Sequence, residues 1–323
     1  MRKKKIYKAC QTLLTTCSHC KKDENILIVT DEECFDMGLA IWDAAEDFPN
    51  RTLVLMNTRT MHGEEPTALV AAAMLKADVI FRATKQSLSH SVARIKACEA
   101  GARDLNCCDY DLRMLVEGGL YTDFEYNRRY VDQIAKGFAG GDICEITSKL
   151  GTNYKASIKG HKIFPQYGMS HNPGQTSSPP DIECATGAMP YTANGVVYVD
   201  GSITHPRLGV IEEGKPIRIE IKDSFVTDIS GGEQADILRE VLEEIGDRRI
   251  YQIGEIGVGL NPDARITGRM LEDEGCMGTV HVALGNNESG NDLNLHIDMM
   301  FRNPTIKVDG KVILDEGAVV FNN

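Results

Sequence analysis

The chain has 323 residues, 42% of them hydrophobic and 25% charged, an ordinary globular composition with enough length for two domains. A formal net charge of −12 argues against a general binder of nucleic acid or anionic lipid, either of which needs a basic face. The basic start, Met1 to Lys5, runs into Ile-Tyr-Lys and not into an apolar signal core, and no run approaches the ~20 apolar residues of a membrane helix. A cytoplasmic protein is therefore expected.

Residues 4–20 read as a helix. Glu24–Asp31 holds a short apolar run bounded by charge, the pattern of a buried strand. A helix over 34–48, a strand over 52–56, an alanine-rich helix over 64–76, a strand over 78–84, a helix over 87–100 and a strand over 102–107 follow. Strands alternating with helices predict a doubly wound parallel sheet of flavodoxin-like or Rossmann-like type. No Gly-x-Gly-x-x-Gly follows the first strand, where Thr30-Asp-Glu-Glu33 stands, so no dinucleotide site is expected. Helices continue to about residue 139, and the run Gly137-Phe-Ala-Gly-Gly141 marks the expected domain boundary, 1–140 against 141–323.

Beyond it, strand-like runs alternate with turns, and a mostly antiparallel β domain with helical inserts is predicted. Ser170-His-Asn-Pro-Gly-Gln-Thr-Ser-Ser-Pro-Pro180 is a loop dense in turn formers. Strands are expected over 195–200, 217–221, 224–230, 251–258, 281–284 and 295–300, an amphipathic helix over 232–246, and a hairpin over 305–314 about Asp309-Gly310. Ten cysteines include Cys17-x-x-Cys20 and the adjacent Cys107 and Cys108. No second Cys-x-x-Cys completes a zinc ribbon, and free buried thiols are the expected state.

The chemistry concentrates in Gly254–Asp298, which contains Glu255, Glu274, His281, His296 and Asp298. His296 and Asp298 are two apart in a strand and so share a face. A second histidine from a neighbouring strand makes a two-His, one-carboxylate set that suits iron(II), or zinc with water in an open position. A lone His-x-Asp is more often an ordinary hydrogen-bonded pair, but Val280, Val282, Leu295 and Ile297 flank these histidines, and a histidine among apolar neighbours needs a partner.

Taken in order, Asp181-Ile-Glu183-Cys-Ala-Thr, Gly195-Val-Val-Tyr-Val-Asp-Gly201, Gly254-Glu255-Ile-Gly-Val-Gly-Leu-Asn, Gly278-Thr-Val-His281-Val-Ala-Leu-Gly and Leu295-His296-Ile-Asp298 resemble the thermophilic aminopeptidases T and S over roughly residues 170–320. The resemblance implies a dimer with its metal site in the second domain. It carries Glu183, Glu255, His281, His296 and Asp298 over as metal ligands, with Glu183 or Glu255 bridging two ions or acting as general base. The role of Glu274 stays open.

The same superfamily includes 2,5-dihydroxypyridine ring-opening dioxygenases, which hold one iron(II) by two histidines and an aspartate, here His281, His296 and Asp298. This chain departs from the aminopeptidases in two places. Asn286-Asn287-Glu288 stand where they carry a tyrosine, and only 15 positions separate His281 from His296. Retention of all five ligands nevertheless makes the first expectation a metallohydrolase. It would act on a short peptide or small aminoacyl amide through water activated by two zinc, cobalt or manganese ions. The alternatives are an iron(II) ring-opening dioxygenase, with His171 contacting substrate or acting as acid or base, and a related hydrolase of a cyclic or amide metabolite.

Overall fold

The computed structural model describes residues 2–287 and 290–321, and the chain divides into two compact units. The first comprises residues 1–125 and 166–181, the second 126–165 and 182–323.

The first unit is built on a parallel sheet in the order Arg51–Met56, Ile26–Asp31, Val79–Ala83, Arg103–Asn106, Thr176–Ser177. Ile26–Asp31 is buried along its whole length, as a central strand covered on both faces must be. Leu27 and Val29 pack in one cluster with Val70 and Met74 of the helix Ala68–Met74 and with Ala93 and Ala97 of the helix Val92–Glu99. On the opposite face Thr30 lies against Gly38 of the helix Phe35–Ala44, so closely that a β-carbon at 38 would fall 2.6 Å from the threonine Cβ. Thr67 and Ser91 cap their helices by accepting from the amides of Val70 and Arg94. The N-terminal helix Arg2–Gln11 loosens into a π-helical turn over Thr12–Cys17. Arg82 and Asp104, both wholly buried on adjacent strands, form an ion pair at 2.7 Å, and Thr176 donates to the same carboxylate.

The second unit contains two sheets. One is eight-stranded and antiparallel throughout, and its Ile217–Lys222 strand buries Ile217, Ile219 and Ile221 while Arg218, Glu220 and Lys222 face outward. The other has seven strands in the order Gly209–Val210, Ser202–Ile203, Asn291–Arg302, Thr279–Asn287, Ile253–Gly259, Glu183–Gly187, Ile163–Gln166. The helix Glu233–Ile245 buries Ala235, Leu238, Val241 and Leu242 and ends at Gly246, whose φ of 67° closes the turn.

The α/β fold with a parallel sheet and large antiparallel sheets is as expected; the division of the chain differs. The break falls at 125/126, not at 140. Gly137 lies inside the helix Phe124–Phe138, where Ile313 packs 2.7 Å from the position of an added β-carbon, so this glycine serves close packing. Residues 166–181 return to the first unit because Asp104 and Leu105 pair with Thr176 and Ser177. All ten cysteines are unpaired. Among the described residues no helix is long and apolar enough to cross a membrane.

Candidate metal centre

Register places the five candidate donors on one face of the seven-stranded sheet. Gly259 stands opposite Glu183, and Glu255 lies opposite both Gly187 and Ala283. Gly257 stands opposite His281, Gly285 opposite His296, and Ala283 opposite Asp298. Side chains alternate along each strand, so Glu183, Glu255, His281, His296 and Asp298 project together, separated by glycine and alanine. The small residues make the room. The imidazole of His281 lies over Gly257, and that of His161, from the loop before Ile163–Gln166, lies over Gly187. Gly259 admits the backbone of residues 274–276.

The donors form a chain of contacts. His281 Nε2 stands 3.6 Å from Glu183 Oε2 and 3.8 Å from Glu255 Oε1. Glu255 Oε2 is 3.8 Å from His296 Nε2, which in turn meets Asp298 Oδ1 at 3.0 Å. His296 Nδ1 donates to the Asn286 carbonyl at 2.9 Å, which aims Nε2 at the carboxylates. Asp298 is held from behind: Thr204 Oγ1 donates to its Oδ2 at 3.2 Å and accepts from its amide at 2.7 Å. Glu274 also hydrogen-bonds the Asp298 carboxylate. His281 and Asp298 are almost fully buried, whereas His296 keeps a third of its side chain exposed.

Among the described residues, two buried polar atoms here have no hydrogen-bond partner, Glu183 Oε2 and His281 Nδ1. Buried polar atoms are normally paired. Carboxylates and imidazoles with unmet bonding capacity on one face are what a divalent ion requires, so the residues present fit a metal. The charges agree. Burial pushes the Glu183 carboxyl up to about 7, with the Glu255 charge adding to it against His281. Burial works against protonated His281 and His296, but the neighbouring carboxylates outweigh it and raise them to about 9 and about 10. Asp298 is held well below its usual range by His296 and His281, despite its burial.

Sequence reasoning named the five candidate donors and missed their neighbours Thr204, the Asn286 carbonyl and His161. Nothing local marks Thr204, and the carbonyl is invisible in a sequence; His161 sits in an unremarkable turn. Glu288 lies outside the described residues. His171 belongs to the first unit, where its ring stacks on His19 and its Nε2 donates to the Thr16 carbonyl at 2.7 Å.

A family model described as 2,5-dihydroxypyridine 5,6-dioxygenase (NicX) matches residues 5–321. The 2,5-dihydroxypyridine 5,6-dioxygenase of Pseudomonas putida KT2440 is 30% identical over 188 residues, 54% of this chain and 53% of that protein, so the match spans about half the length of this curated relative. The structure of 2,5-dihydroxypyridine dioxygenase from Pseudomonas putida KT2440 has a TM-score of 0.81 at 21% identity, covering 98% of this chain and 97% of that one. AmpT from Thermus thermophilus has a TM-score of 0.73 at 14% identity, covering 99% and 100%. At these identities the two structures show a common fold.

The expectation of an aminopeptidase-like metallohydrolase is thereby corrected. The family that spans the chain and the curated relative are dioxygenases, and the likeness to AmpT is one of fold alone. The physical reason is that one scaffold serves either chemistry, so counting five candidate ligands could not decide between them. With the match running from residue 5 to residue 321, the chain belongs to the 2,5-dihydroxypyridine 5,6-dioxygenase (NicX) family.

Proposed function

We propose that this protein is an iron(II)-dependent dioxygenase that opens a hydroxylated pyridine ring, with 2,5-dihydroxypyridine or a close analogue as substrate. The family match over residues 5–321 carries this reading. The donor set supports it: His281, His296 and Asp298 are two imidazoles and one carboxylate on neighbouring strands, the set that non-haem iron(II) favours.

In this reading His281, His296 and Asp298 hold the iron, and Glu255 reaches both imidazoles from the adjoining strand. Held by these three residues, an iron(II) ion would supply the redox chemistry that activates dioxygen for attack on the substrate ring. Thr204 holds the Asp298 carboxylate and the Asn286 carbonyl holds the His296 ring, so neither donor is free to rotate away. Glu183, whose Oε2 lies 3.6 Å from His281 Nε2 and has no other partner among the described residues, is placed to take the proton of a substrate hydroxyl on binding and return it to the opened product.

Metal analysis of protein purified without oxygen or chelator tests the assignment. About one iron per chain is expected, lost in His296→Ala and Asp298→Asn. Zinc or manganese at two per chain, with no iron taken up on reconstitution, would contradict it.

A further inference from the structure

We propose that His19, Glu125 and His171 form a second metal site, which takes a divalent transition ion such as zinc. None of the three belongs to the set on the seven-stranded sheet, and all three lie in the first unit. Their ligating atoms lie within 4.8 Å of one another. His171 Nδ1 faces Glu125 Oε1 at 3.9 Å, too long for a hydrogen bond. That separation is close to what two donors need when each sits ~2.0–2.2 Å from one shared ion.

The orientation of His171 is the second observation. Its Nε2 is bonded to the Thr16 carbonyl, an acceptor only, so Nε2 carries a hydrogen and Nδ1 is the ring nitrogen turned toward Glu125. A carbonyl behind the ring is the arrangement that fixes a metal-ligating imidazole. His171 is mostly buried, its side chain 17% exposed, so this orientation is held by packing. His19 stacks on it with ring centroids 3.6 Å apart and planes 11° from parallel. Parallel rings cannot both aim in-plane lone pairs at one ion, so binding turns the exposed His19 ring out of this stack while the Thr16 carbonyl holds His171. The amide of Ser170 donates to the Cys17 carbonyl at 2.6 Å, bolting together the two segments that carry the histidines. Arg103, which donates to the His19 carbonyl, is paired with Glu24 at 2.5 Å, so its charge is largely neutralised.

Imidazole with one carboxylate selects zinc, cobalt or nickel over magnesium or calcium, which prefer all-oxygen sites. The cysteines that frame His19 take no part. Burial pushes the Cys17 thiol well above its usual range and Cys20 up to about 11, so neither is a ready thiolate. An ion here joins the segment after the N-terminal π-helical turn, Glu125 and the loop at 170–175, all within the first unit. It would therefore act as a clip on the first unit.

The test counts zinc per full-length chain by equilibrium dialysis, for the wild type and for His19→Ala, with circular dichroism to confirm the fold. His19 is exposed, so its replacement leaves the core untouched. The wild type is expected to bind one zinc more than the variant and to gain about 3 °C more in Tm at saturating zinc. Equal zinc counts and equal shifts would overturn the site. Glu125→Gln, which keeps the shape and removes the charge, is expected to weaken that one zinc about tenfold or more; unchanged affinity would also overturn it.

Discussion

Gly257 lies directly across the sheet from His281, and the imidazole occupies the space a side chain at 257 would need: Nε2 is 2.0 Å from where a β-carbon would stand. The glycine thus makes room for a candidate metal ligand without offering a donor itself. Gly257→Ala is expected to displace the His281 ring and lower iron affinity about 10–100-fold, with far-ultraviolet circular dichroism unchanged. Metal titration of the variant measures this, and wild-type affinity would mean that the ring has another place to go.

Thr204 contributes through Asp298, to which it gives one hydrogen bond and from which it accepts another. Thr204→Val preserves shape and removes both. Iron affinity should fall about tenfold or more, while Thr204→Ser, which keeps the hydroxyl, should restore most of it. Comparing the two by metal titration separates orientation of the carboxylate from simple packing.

The metal-free protein should lose stability as the solution becomes alkaline. His281 and His296 are raised from 6.5 to about 9 and about 10 in the folded chain. A raised pKa means that the proton stabilises the fold fully below ~6.5 and that this contribution fades as pH rises through 9 to 10. Asp298 has the opposite sign: lowered from 3.8, it contributes above about 4, and that contribution is lost as acid protonates it. Metal displaces the histidine protons, so loading should release protons and tighten as pH rises toward 9. Tm against pH, with and without iron, checks both parts.

Arg82 and Asp104 form a wholly buried pair in the parallel sheet. Arg82→Met leaves the Asp104 carboxylate buried with only the Thr176 hydroxyl and should cost about 3–5 kcal/mol. Arg82→Met with Asp104→Leu should recover much of that loss. Denaturant unfolding of the single and double variants gives both numbers.

The strands and the shared face of the candidate donors were legible because they follow period two: His296 and Asp298 announce a shared face, and Val280-His281-Val282 alternates about a histidine. The interleaved Gly257, Ala283 and Gly285 make room on that face, a meaning they acquire only once register is known. What was not legible depends on distant pairing. Thr176-Ser177 is too short to show periodicity, yet it returns a whole segment to the first sheet. The π-helical turn at Thr12–Cys17 has no periodic mark. The reaction itself was misjudged because five clustered donor residues describe a candidate binding site and not the molecule bound there.

Dioxygen consumption with 2,5-dihydroxypyridine, on protein loaded anaerobically with iron(II), tests the central claim most directly. The account predicts one dioxygen consumed per ring opened, both oxygen atoms recovered in the product when labelled gas is used, and no turnover in Asp298→Asn. No oxygen uptake by iron-loaded protein, together with hydrolysis of aminoacyl amides by the zinc-loaded form, would contradict it.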